Sequence, residues 1–79
     1  MTTTFTFESG ATIAAALTRA METGARVTVH LTSGKDLTGK VGSVGNGHAV
    51  IQSLMHREFF DAVVAVDHIE AMEAQTRTA

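Results

Sequence analysis

The stretch VTVHLTSGKDLTGKVGSV, residues 27–44, constrains the fold more than any other part of the chain. Val27, Val29 and Leu31 alternate with Thr28 and His30, and with Arg26 in front they make the period-two pattern of a strand that buries one face. Thr32-Ser33-Gly34-Lys35 supplies a tight turn. The chain then resumes as a second strand with Leu37, Val41 and Val44 on one side, but Gly39 and Gly42 sit inside it. Glycine weakens a strand interior unless the strand must bend hard or another backbone must come close. A very small barrel makes that demand, because a few strands have to curl far enough to close. The stretch therefore predicts the first hairpin of a strongly curved antiparallel barrel.

The remainder of the sequence is consistent with one small module. Seventy-nine residues leave no room for a second core. Chains of this size gain only about 3–5 kcal/mol from a single core and commonly add disulfides, a metal or partner subunits. There is no cysteine, which excludes disulfides and thiolate metal sites and leaves oligomerisation as the common route. No apolar run reaches the roughly 18 residues of a membrane span. MTTTFTFESG lacks the basic start and long apolar stretch of a signal peptide, so the expectation is a soluble, cytoplasmic protein without a membrane partner.

Residues 1–8 read as a loose tail or a short extra strand, with Phe5 and Phe7 alternating among threonines. Ile13, Leu17 and Met21 recur at four-residue spacing between Ser9 or Thr12 as a cap and Gly24 as a stop, which predicts a helix over about residues 11–23. Its narrow apolar stripe would lie across an open end of a sheet. The barrel itself would span residues 26–74 within a domain of residues 9–74. Gly45-Asn46-Gly47 marks a loop, and residues 48–53 a third strand. Residues 59–66 are apolar apart from Asp61, as expected of a strand buried on both faces by the barrel or by a neighbouring subunit. Residues 67–74 admit either a helix capped by Asp67, with Glu70 three later, or a short strand entered through a sharp turn. Residues 75–79 read as a frayed end.

A short helix, then Val27, Val29, Leu31, Gly34, Leu37, Gly39 and Val41 at these spacings, then a Gly-Asn loop, resembles the Sm-like family and its bacterial Hfq branch in particular. The resemblance covers residues 16–44. It implies a mainly β fold: a strongly bent, five-stranded open barrel of the SH3-like kind with a short N-terminal helix. It also implies that the fourth strand of one subunit pairs with the fifth of the next, closing a homo-oligomeric ring of about five to seven subunits. Rings of this family hold single-stranded RNA. The residues carried over as base contacts are Asn46, His48 and His68.

The departures from the family pattern bear directly on function. The loop Ser43-Val44-Gly45-Asn46-Gly47-His48 offers no aromatic ring other than His48 for a base to stack on. Ala65-Val66-Asp67-His68-Ile69 stands where the family places Arg-Gly or Tyr-Lys-His, so Asp67 occupies a position where a cation would help. The net charge is −2, which gives no global attraction to nucleic acid. Arg19, Arg26, Lys35 and Lys40 nevertheless all lie in the first half, whereas residues 58–73 carry five acids and no Lys or Arg. One ring face could thus be basic, with Arg19, Arg26 and Lys40 as rim contacts to phosphate.

Catalysis finds no support in the sequence. The serines and threonines sit in turns and on outward strand positions without an obvious base, the glycines lack the P-loop lysine spacing, and His68 with Glu70 makes two potential metal ligands but not a site. No cofactor is expected. The expectations are an RNA-binding ring without enzymatic activity, or a ring that has lost RNA binding and serves as a scaffold for other proteins. A third is a small accessory barrel that docks a partner's peptide by strand addition.

Overall fold

A computed structural model describes residues 2–3, 5–7, 10–57 and 59–78. Along the chain it contains β1 (Thr2–Thr3), α1 (Ile13–Thr23), β2 (Arg26–Leu31), β3 (Asp36–Gly45), β4 (His48–Gln52), β5 (Ala62–Ala65), a 3-10 turn (Val66–His68), β6 (Ile69–Ala74) and β7 (Arg77–Thr78). The fold is mainly β, with one N-terminal helix and five antiparallel strands in a single sheet ordered β5-β4-β3-β2-β6. The sheet is not closed: β5 and β6 are its edges.

The helix begins where Thr12 accepts a hydrogen bond from the Ala15 amide, 3.2 Å, and ends at Gly24 in the left-handed conformation. Ser9, the other cap considered, lies outside the described residues. Leu17 and Ala20 are fully buried, and the helix packs over β3 and β6. Its stripe meets Val27 and Val29 from β2, Val41 from β3, Ala49 and Ile51 from β4, Val64 from β5 and Ile69 from β6 in one core.

The strand glycines act through close approach. A Cβ on Gly39 would come within 2.9 Å of Ile51 Cγ2 and still nearer the Gln52 carbonyl oxygen, so β4 crosses β3 at a distance only glycine permits. Gly42 is skipped by the register, which passes from Val41 opposite Ile51 to Ser43 opposite Val50, and its missing side chain leaves room for Gln52. That bulge increases the local bend. The curl is visible in where the ends of β3 finish. The 3-10 turn reaches both, with the Val66 amide donating to the Gly47 carbonyl at 2.9 Å and the Thr32 amide to the His68 carbonyl at 2.8 Å. Three consecutive residues thus join the β2–β3 and β3–β4 turns and carry the chain from one sheet edge to the other.

The structure departs from the sequence expectations at residues 59–66 and at the C-terminal end, and it takes one of the two alternatives left open at residues 67–74 and at the N-terminus, in each case the strand. Residues 59–66 are not one buried strand: only Ala62–Ala65 is extended, Phe60 is half-exposed, and Phe59 is 99% exposed. Residues 67–74 take the strand alternative, entered through the 3-10 turn rather than as a capped helix. At the termini, Thr2–Thr3 pairs with Arg77–Thr78, in the segment expected to fray, and Phe5 is buried in the core with Phe7 edge-on to it at 5.0 Å. The physical reason is the same at Phe5 and Phe59. Apolar character favours burial, but which phenylalanine is covered depends on where the backbone passes.

Candidate nucleic-acid interface

Two of the candidate base contacts, Asn46 and His48, lie at the β3–β4 turn, and the third, His68, lies in the 3-10 turn, whose Val66 bonds Gly47 and whose His68 carbonyl bonds Thr32 of the β2–β3 turn. Asn46 and Gly47 form the two-residue β3–β4 turn, both with positive φ (55° and 75°), the arrangement Asn-Gly favours in a hairpin. His48 follows at the start of β4, opposite Gly45 on one side and Ala65 on the other, and its Nδ1 lies 3.0 Å from the Asn46 carbonyl. Since that carbonyl only accepts, the ring donates from Nδ1 and leaves Nε2 available. His68 closes the 3-10 turn that the Gly47 carbonyl anchors at its other end, and both histidines are exposed. Asp67 stands between Val66 and His68, also exposed.

The candidate phosphate contacts fall in two places. Arg26 and Lys40 are direct cross-strand partners on β2 and β3, both exposed. Like charges directly opposite one another on a sheet are unfavourable, and an anion placed between them turns the repulsion into attraction. Arg26 is further located by a hydrogen bond from its guanidinium to the Ser53 carbonyl, 3.4 Å. Beside this pair the Thr28 and Thr38 hydroxyls bond each other at 2.8 Å, so the solvent face of the hairpin is a polar ladder. Arg19 is elsewhere: it lies on α1 and its Nε donates to the Thr6 carbonyl at 3.0 Å, tying the helix to the N-terminal segment.

Two features lie beyond the residues singled out from sequence. The segment from Ser53 to Asp61 is tied at its neck, where the Ser53 amide donates to the Asp61 carboxylate at 3.0 Å and the Leu54 amide to the Phe60 carbonyl at 3.1 Å. Leu54 points into the core while Met55, Phe59 and Phe60 face solvent, with Arg57 over the Phe60 ring at 4.8 Å. Ser53, His56 and Phe59 all have positive φ, unusual for residues with a Cβ. Its sequence signals are a turn over residues 54–58, which the structure shows at residues 55–57, and the start of the apolar run at Phe59, whose expected burial it does not show.

The second feature is His30, whose Nδ1 is 2.7 Å from Asp36 Oδ1 and whose Nε2 is 2.7 Å from Glu73 Oε1. These bonds, that to Glu73 foremost and then that to Asp36, raise the His30 pKa above its ordinary value; partial desolvation opposes them and the charge attraction of both carboxylates adds to them. The hairpin register could have suggested Asp36. Glu73, 43 positions away, could not be paired without the fold.

Comparison with known proteins identifies no relative: no family model, no curated protein and no solved structure matches this chain. No helix among the described residues is long and apolar enough to cross a membrane.

Proposed function

We propose that this chain is an Sm-like, ring-forming protein that binds short single-stranded RNA without catalysing a reaction. The observation that carries the reading is the open sheet: β5 and β6 are unpaired edges, consecutive in sequence and joined by the 3-10 turn. This is the arrangement in which a fourth strand can pair with the fifth strand of a neighbour. The outward residue Val63 on β5 is 69% exposed, apolar surface that such pairing would cover.

In the ring, each subunit offers two weak sites. Arg26 and Lys40 hold phosphate, while Asn46, His48 and His68 meet base edges from their turns, His48 also providing a ring for stacking. A single such site binds poorly beside Asp67 and on a chain of net charge −2. About five to seven copies facing one strand add through effective concentration, so the assembly holds RNA that one subunit could not. The chemistry is retention and concentration of RNA, with no bond made or broken.

Fluorescence anisotropy against labelled U-rich and A-rich oligonucleotides, at low and physiological salt, tests this. The expected result is sub-micromolar binding that weakens with salt and falls in His48→Ala and in Lys40→Ala. A ring-sized particle that binds neither oligonucleotide at low salt overturns the RNA part of the reading. The second reading is then an assembly scaffold for other proteins, which the fully exposed Phe59 and the acidic 3-10 turn favour.

A further inference from the structure

We propose that His30 is a proton-operated clasp, which in its charged form ties edge strand β6 to the β2–β3 hairpin and on losing its proton lets go of one of its two carboxylates. The inference is independent of ring formation and of RNA.

The geometry sets the protonation state. Asp36 and Glu73 flank the imidazole at 2.7 Å on opposite nitrogens. An ionised carboxylate only accepts hydrogen bonds, whereas a neutral imidazole has one N–H and one lone pair. Both bonds can therefore exist together only when both ring nitrogens carry protons. Remove the proton and one carboxylate faces a lone pair, while the cluster goes from one positive and two negative charges to two negative charges alone. One link must lengthen or admit water.

The links join three strands. His30 is on β2 opposite Asp36 of β3, and Glu73 comes from β6, where it pairs in register with Thr28. The β2–β6 ladder is regular from Val27 to His30 and shifts register between His30 and Leu31, so the clasp lies on the last regular rungs beside the irregularity. The other charged groups on the packed elements are Arg26 on β2, Lys35 in the turn, Lys40 on β3, Glu70 on β6, and Asp67 and His68 in the 3-10 turn. Among the described residues only Asp36 and Glu73 bond the ring.

The sign follows from the bonding. A histidine held charged in the folded chain contributes stability that is fully present below its unfolded midpoint and is lost as pH rises through the folded one. The contribution is therefore lost as pH rises through the raised His30 midpoint.

The test uses the full chain. Two-dimensional NMR of the His30 ring is recorded from pH 5 to 9 in wild type, Glu73→Gln and Asp36→Asn, with amide exchange of β6 and thermal melts at the same pH values. Expected are a His30 midpoint above that of the urea-unfolded chain, a fall in that midpoint in each variant, and lower β6 protection factors, corrected for the base catalysis of intrinsic exchange, with a lower Tm at pH 8.5 than at pH 6. The loss of Tm between those two values is expected to shrink in Glu73→Gln. Glu73 is a surface side chain, so this variant keeps the fold accessible even if replacements of His30 do not. A His30 midpoint at or below that of the unfolded chain, or β6 exchange and Tm whose pH dependence is the same in wild type and Glu73→Gln, overturns the proposal.

Discussion

The two edges of the sheet are built from opposite materials. β5 reads Ala62-Val63-Val64-Ala65 and is preceded by Phe59 and Phe60, so one border is apolar and its outward valine faces solvent. β6 reads Ile69-Glu70-Ala71-Met72-Glu73-Ala74, with exposed acids at two positions and one of them clasped by His30. The comparison teaches that the two borders present different surfaces to solvent, an apolar outward valine on β5 and two acids on β6. A head-to-tail contact of β5 on β6 would use the acidic strand as the acceptor whose outward charges remain in solvent, and would bury the apolar one.

Substitutions can break the comparison or sharpen it. The largest effects lie where the edges are alike, at the inward residues Ile69 and Val64, each 6% exposed. Ile69→Ala should cost about 3 kcal/mol and lower Tm by roughly 15 °C, and Val64→Ala about 2 kcal/mol, from lost burial and the cavity left behind. Urea unfolding measures both; a negligible cost at Val64 would mean that β5 is not anchored in the core as drawn.

The outward position next door should behave differently. Val63→Lys should change the stability of the single chain by no more than about 0.5 kcal/mol, because the side chain is already in water. On the edge-pairing account it should nevertheless reduce the mass of the particle in solution, since a charge would enter the seam. Unchanged mass would place the self-association elsewhere or nowhere.

An effect of opposite sign, a gain in stability, is expected in the neck-tied segment before β5. Phe59 has φ 66° and makes no buried contact that its exposure would allow, so Phe59→Gly relieves a left-handed strain at the cost of backbone entropy. The net gain should be up to about 1 kcal/mol by urea unfolding. A loss of stability would show that the ring is covered in solution, which would itself point to a partner on this surface.

The contrast also explains what could be read in advance. The β2–β3 hairpin was legible because its information is local: alternation at Val27, Val29 and Leu31, a Gly34 turn, and Gly39 where a strand should resist glycine. Gly24 marked the end of the helix in the same way, and Thr12, one of two caps the sequence offers, marks its start. The apolar border was misread, because residues 59–66 carry the composition of a doubly buried strand and nothing in composition says that Phe59 points away from the core. The positive φ of Ser53, His56 and Phe59 has no residue-type signal, since none is glycine.

The candidate site was partly legible. Charge alone marks Arg26 and Lys40 in the sequence, and hairpin register makes them neighbours. Asn46, His48 and His68 came from the family resemblance, and the 3-10 turn that links His68 to Thr32 and Val66 to Gly47 is announced by no local pattern. Arg19 was grouped with the rim cations, yet its guanidinium serves the N-terminal segment through Thr6. The clasp at His30 went unread because Glu73 meets it only through the β2–β6 pairing.

The most direct test of the central claim is the light-scattering mass of the purified protein at low salt, with and without a short U-rich oligonucleotide. An RNA-binding ring should appear as a particle of about five to seven chains of 8.3 kDa that gains the mass of the oligonucleotide when it is added. A particle of 8.3 kDa, unchanged by the oligonucleotide, would contradict both the ring and its cargo.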